Sequence, residues 1–204
     1  MNRLSAIFLC AAALFLVACG GTRLSVDPTW TARPASLTVV VGEPYVENSD
    51  DLVDDIPEYA AKFGEWLSLQ LQMELRMRTN LNPEMRIEKD ENFVMVQLPI
   101  EKNMVTFHVP NPEKAEGLHG IVLSVHPIQF RRKVDVCMSR DGCLNNSHLV
   151  SKGTYVYTDM DNRRILGYGF FYVSDSFTFA MTKGNWENVV GDMAKEILEN
   201  TPLN

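Results

Sequence analysis

Two alternating runs that face each other across a short polar turn restrict the fold of this chain more than any other stretch. Residues 151–158 and 164–174 flank Asp159-Met160-Asp161-Asn162-Arg163, a composition that closes an antiparallel hairpin. A period of two sends successive side chains to opposite sides of a sheet. Tyr155 and Tyr157 therefore share a side, and Leu166, Tyr168, Phe170 and Tyr172 alternate on the returning run. One hairpin face is expected to be aromatic. The other, with Thr154, Val156 and Thr158 against Ile165, Gly167, Gly169, Phe171 and Val173, is expected to be small or β-branched and to suit helix packing. Gly167 and Gly169 point to strong twist or to close approach of another backbone.

The period changes from two to 3.6 in two places. Over residues 58–78, Tyr59, Ala60, Phe63, Trp66, Leu67, Leu71, Met73 and Met77 fall on one broad helical face, with Leu69 and Leu75 on its flanks. An arc this wide exceeds what one sheet covers. Either the helix is sandwiched, or Leu69, Met73 and Met77 form a flank left for a partner; methionine as a filler of irregular core gaps favours the first. Asp55 and Glu58 have capping-box spacing and Pro57 suits a first turn, so the acidic residues before this helix are explained by its dipole rather than by calcium. Asn82-Pro83 ends it. A second helix runs through Trp186, Val189, Val190, Met193, Ile197 and Leu198 to Pro202, with Asn185 as its cap.

The remaining apolar runs read as strands. Leu37-Thr38-Val39-Val40-Val41 is β-branched, ends at Gly42 and Pro44, and has no polar face, which places it inside a sheet. Strand-like segments follow at 85–88, 93–98 and 104–109. The long run 118–130 contains Pro127, which demands an edge or a bulge there. The fold class is therefore α+β: one domain with an antiparallel-rich mixed sheet, and a long N-terminal-half helix and a C-terminal helix on one face. Trp66 and Trp186 are both expected to be buried.

At the other end of the chain, Met1-Asn2-Arg3 supplies a positive charge and Leu4 to Ala18 is an apolar run of about 15 residues, short of the roughly 20 that span a bilayer as a helix. Leu16-Val17-Ala18-Cys19 closes it and resembles the lipobox of bacterial lipoproteins. The resemblance implies that Cys19 is lipidated and becomes the mature N-terminus. Gly20, where aspartate would imply inner-membrane retention, implies the outer membrane, with the domain facing the periplasm. This divides the chain into a signal peptide (1–18), a lipidated flexible tether (19–36) rich in Gly, Thr, Ser and Pro, and a folded domain (37–202). Trp30 is the one large apolar residue on the tether and a candidate to dock on the domain.

Cys137 and Cys143 bracket an Asp-Gly turn, and in an exported chain they read as a disulfide closing a small loop. A zinc site would need a second ligand pair at suitable spacing. The chain is 46% hydrophobic, a folding composition, with a net charge of −7. Such a balance lacks the basic footprint of nucleic-acid binding and gives no polybasic grip on anionic lipid, leaving acyl chains as the membrane contact.

No catalytic motif stands out. His119 and His126 are seven apart, on opposite faces of a strand, so they do not share a metal. Asp159 and Asp161 sit in a hairpin tip, where turn formation explains them better than glycoside hydrolysis. No cofactor is implied. The order of elements, carried by 37–41, 58–78, 118–130, the hairpin around Asp161-Asn162 and 186–198, resembles the small α/β domain of envelope lipoproteins such as LpoB, the CsgG periplasmic region and the TolB N-terminal domain. It departs at 85–112, where extra strand-like sequence intervenes. The resemblance implies an accessory or assembly role through binding another envelope protein, and carries no catalytic residues. The alternative is an envelope hydrolase acting on glycan or peptide. Two surfaces are candidates for the partner: Leu69, Met73 and Met77 on the helix, and Tyr155, Tyr157, Tyr168, Phe170 and Tyr172 on the hairpin. The competing reading of the hairpin rings is that they cover the sheet or lie under the tether.

Overall fold

A computed structural model describes residues 24–47, 56, 62–114, 117–135, 146–178 and 180–204. The elements in chain order are β1 (Leu24–Val26), β2 (Thr38–Gly42), β3 (Tyr45–Val46), α1 (Phe63–Thr79), β4 (Glu84–Glu88), β5 (Phe93–Ile100), β6 (Asn103–Pro110), β7 (Ile121–Asp135), β8 (Asn146–Asp159), β9 (Arg164–Phe177) and α2 (Lys183–Leu198). The class is α+β. The main sheet runs β1-β9-β8-β7-β2-β4, with β3 pairing further along β7. The long β7, β8 and β9 are antiparallel neighbours, whereas β2 is parallel to both β7 and β4.

The β-branched run explains the placement of β2. Val39 and Val41 enter the main core beneath the helices, while Val40 turns to the other side and packs with Phe93, Leu118 and Val122. A strand buried on both faces belongs inside a sheet, and β2 lies between β7 and β4. Parallel neighbours need a crossover, and α1 supplies it between β2 and β4.

Both helices lie on one face and touch each other, α2 over β8 and β9 and α1 beside β4. Their facing side chains fill one core: Phe63, Trp66, Leu67 and Leu71 from α1 meet Trp186, Val189, Val190 and Met193 from α2. The Phe63 ring stands edge-on to Trp186 at 5.2 Å and to Phe130 at 5.3 Å, so Trp66 and Trp186 are buried as the helical period requires. Asn80 closes α1 in the left-handed conformation. At the start of α2 the cap residue is Thr182, and Asn185 reaches back so that its side-chain oxygen accepts the Thr182 N–H at 2.8 Å.

The sequence between α1 and β7 forms β4 and a separate two-stranded hairpin, β5–β6, laid across the face opposite the helices. Phe107 and Ile100 press on Val156 there, and Phe107 meets Tyr168 edge-on at 5.1 Å. The Tyr168 hydroxyl donates to the Pro99 carbonyl at 2.7 Å, and the Ser124 hydroxyl donates to the His108 carbonyl at 3.0 Å. The sheet is thus covered on both sides, by helices on one and a hairpin on the other.

Two expectations need correction. The hairpin aromatics do not share a face. Tyr155 and Tyr157 pair with Gly169 and Gly167, and Val156 pairs with Tyr168. Residues opposite each other in a ladder lie on the same side, so Tyr155 and Tyr157 point inward with the glycines, while Tyr168, Phe170 and Tyr172 point outward. Aligning the two runs by pattern alone left the register one residue out. The second correction concerns the tether. Residues 24–26 form β1, the edge strand paired with β9, and Trp30 is buried with its ring 5.1 Å from that of Tyr157. Cys19, Cys137 and Cys143 lie outside the described residues, as do most of the acidic stretch before α1 and the first turn expected for that helix.

Candidate functional site

The main irregularity in the sheet lies at Pro127. A proline donates no ladder hydrogen bond, and the β7–β8 register shifts between Val125 and Ile128. The Thr154 hydroxyl, donating to the His126 carbonyl at 2.6 Å, satisfies a group the bulge leaves free. Gly153 lies against the bulge because a side chain there would overlap the Pro127 carbonyl and the Phe171 ring. A groove of about 630 Å³ opens at this point, bounded by β3, β6, β7, β8 and β9. Its walls are Tyr45, Val105, Phe170 and Tyr172 among others, and Lys152 is the one charged residue among the described residues that line it. Tyr45 is 60% exposed and Tyr172 42%. The volume is that of a small-molecule site, and the lining is almost wholly apolar.

A second surface lies on α1. Leu69, Met73 and Met77 follow one another at a spacing of four along one ridge and are 56%, 43% and 67% exposed. The arc expected to be either sandwiched or open is therefore open along this flank, while Trp66, Leu67, Leu71 and Leu75 are buried.

The inward tyrosines have structural work instead. The last carbonyls of a helix lack partners within it. The Tyr157 hydroxyl donates to the Ile197 carbonyl at 3.1 Å and that of Tyr155 to the Glu196 carbonyl at 3.4 Å. Burial, reinforced for Tyr155 by the carboxylates of Glu196 and Glu199, pushes both phenols up, so they remain protonated donors.

A polar cluster joins the β5–β6 hairpin to the sheet. The His126 ring stacks on Phe93 at 4.4 Å, meets the His108 ring edge-on at 4.8 Å, and points Nε2 at the Asp90 carboxylate 3.6 Å away. Gly42 leaves room for it, since a side chain there would overlap the imidazole. Burial holds both histidines below their ordinary range; for His126 the neighbouring His108 adds to this and Asp90 opposes it. Nδ1 of each ring is buried without a hydrogen-bond partner among the described residues. Among the described residues no group of three His, Cys, Asp or Glu is placed to hold a metal ion. His119 lies apart from this cluster, on the surface, 3.7 Å from Asp161.

No protein-family model matches this sequence, and a search of curated proteins gives no match. Solved structures do resemble it. The PelC dodecamer from Paraburkholderia phytofirmans is 15% identical, with 89% of this chain and 94% of that one covered and a TM-score of 0.43. A minor lipoprotein from Acinetobacter baumannii is 13% identical, covering 81% and 90%, with a TM-score of 0.38. Lipoprotein GNA1162 from Neisseria meningitidis is 14% identical, covering 82% and 100%, with a TM-score of 0.33.

The structure thus brings Phe170 and Tyr172 together in the groove, leaves Tyr168 beside it under β5, buries Tyr155 and Tyr157, and exposes the α1 flank. Sequence reasoning missed Tyr45, Val105 and Lys152 as groove residues. Pro127 was the signal for that site, because it marked the bulge at which the groove opens. The meeting of His108 with His126 depends on how β6 lies across β7, which no local pattern encodes.

Proposed function

We propose that this chain is a lipid-anchored protein of a bacterial envelope whose folded domain binds another envelope protein and performs no catalysis of its own. The leader and its resemblance to a lipobox at Leu16-Val17-Ala18-Cys19 support the anchor. The observation that carries the binding role is the α1 flank. A long side chain placed on the surface every fourth residue gives one continuous apolar ridge, and such ridges mark interaction sites more often than isolated exposed residues do. Methionine suits this use because its flexible thioether adapts to a partner's surface.

The test is site-specific photocrosslinking in the native envelope, with a benzophenone amino acid at Met73 and, as control, at the exposed Arg78, roughly 140° around α1 from it. One defined adduct at Met73, absent at position 78 and lost when Leu69 and Met77 are both changed to Asp, is the expected result. Equal adducts at both positions, or an adduct indifferent to the Asp changes, would remove the flank from the reading.

A further inference from the structure

The groove at the β7 bulge and the course of the N-terminal strand belong together. β1 runs antiparallel to β9, with Leu24 opposite Gly169 and Val26 opposite Gly167. At Leu24 the backbone, read backward, therefore points along β9 in the direction of Phe170, Phe171 and Tyr172, which line the groove. Beyond Gly169 the outer edge of β9 carries no strand among the described residues. Cys19 lies five positions before Leu24, a reach of roughly 17 Å in extended backbone. From Gly169 to Tyr172 is three positions, roughly 10 Å. The proposed lipid site is thus within reach of the groove with chain to spare.

The chemistry of the groove matches what that cysteine would carry. Tyrosine, phenylalanine and valine offer a hydrocarbon chain an apolar wall, and few polar groups would be left unpaired by it. An acylated protein outside a bilayer must bury that chain somewhere, because each methylene left in water is unfavourable.

We infer that the groove is the seat of an acyl chain of the protein's own lipidated Cys19, which shelters it when the protein is out of the membrane. This rests on the lipoprotein reading and adds to it a place for the lipid. The occupied groove would extend the apolar cover that β5–β6 gives this face of the sheet, and Thr154 lies on its floor.

The experiment grows cells with a palmitate analogue bearing a diazirine and an alkyne. The protein is purified, detergent is removed on an adsorbent, the sample is irradiated and the adduct is mapped by mass spectrometry of peptides. The expected result is an intramolecular crosslink from the acyl group to peptides containing Lys152–Thr154 or Phe170–Tyr172. It should fall at least fivefold in Thr154→Trp, which fills the groove, and that variant should self-associate once detergent is removed. A thermal melt of the unlipidated Thr154→Trp domain confirms that it folds. Two results separate the claims. If the wild type takes up no label, or Cys19→Ser is labelled equally, the lipoprotein reading fails and this inference falls with it. If Cys19 is labelled but the crosslinks join different copies, go to other peptides, or ignore Thr154→Trp, the groove is not the seat and only this inference is overturned.

Discussion

Truncating Phe107 should loosen the β5–β6 hairpin while leaving the helix-covered side of the sheet intact. Phe107 is fully buried at the centre of the small cluster between hairpin and sheet, where it meets Tyr168 edge-on and packs with Ile100 and Val156. None of its cluster partners belongs to the larger core that holds both helices. Replacing a buried phenylalanine by alanine costs about 3–5 kcal/mol in lost transfer energy and residual cavity. The edge-to-face contact with Tyr168 contributes about 0.5–1.5 kcal/mol of that. The hairpin retains the hydrogen bonds from Tyr168 to Pro99 and from Ser124 to His108, so it should stay near the sheet but open more often. Urea denaturation of Phe107→Ala should therefore show a loss of about 3 kcal/mol or more, and native-state hydrogen exchange should show residues 93–110 opening at lower denaturant than the β2 amides and losing more protection than they do. A loss below about 1 kcal/mol would mean that the hairpin is not anchored by this ring. Equal deprotection of β2 would mean that the two clusters unfold as one body.

Other perturbations probe the remaining joints. Gly153→Ala places a methyl group against the Pro127 carbonyl and the Phe171 ring, and should cost about 1–3 kcal/mol by overpacking; a calorimetric midpoint equal to wild type would contradict the close approach. Tyr157→Phe removes the donor to the Ile197 carbonyl at the end of α2 and should cost about 1 kcal/mol in urea, with exchange of the last turn of α2 rising first; unchanged stability would show that carbonyl to be satisfied without it. Burial holds His126 and His108 below their ordinary value of 6.5, so the unfolded chain binds more protons as pH falls. The stability they contribute is complete above 6.5 and is lost as pH falls below it, and His126→Gln should flatten that dependence. Asp90, the carboxylate facing His126, works against the loss, so a denaturation midpoint that rises on acidification would reverse the assigned order of effects.

How much of this was legible follows from which signals are local. Helical and strand periods are local, so the class, the interior place of β2 and the burial of Trp66 and Trp186 could be read directly. Register is not local. The Tyr155–Tyr157 run and the Tyr168–Tyr172 run each alternate, but their relative phase depends on the path between them, and the β8–β9 ladder shifts at Tyr157–Thr158. That shift takes Leu166 into the main core while Ile165 packs with Tyr168 and Phe170. A one-residue slip moves an entire set of side chains to the other face, and here it divided five aromatic residues into two inward helix-end donors and three outward ones. The groove shows the same dependence. Pro127 announced a bulge, but what opens there is set by β3, β6 and β9 arriving from distant parts of the chain. The one element that crosses this divide is β1. Its three residues carry no pattern of their own, yet pairing with β9 sets the backbone direction at Leu24, and the proposed seat for the acyl chain rests on that direction.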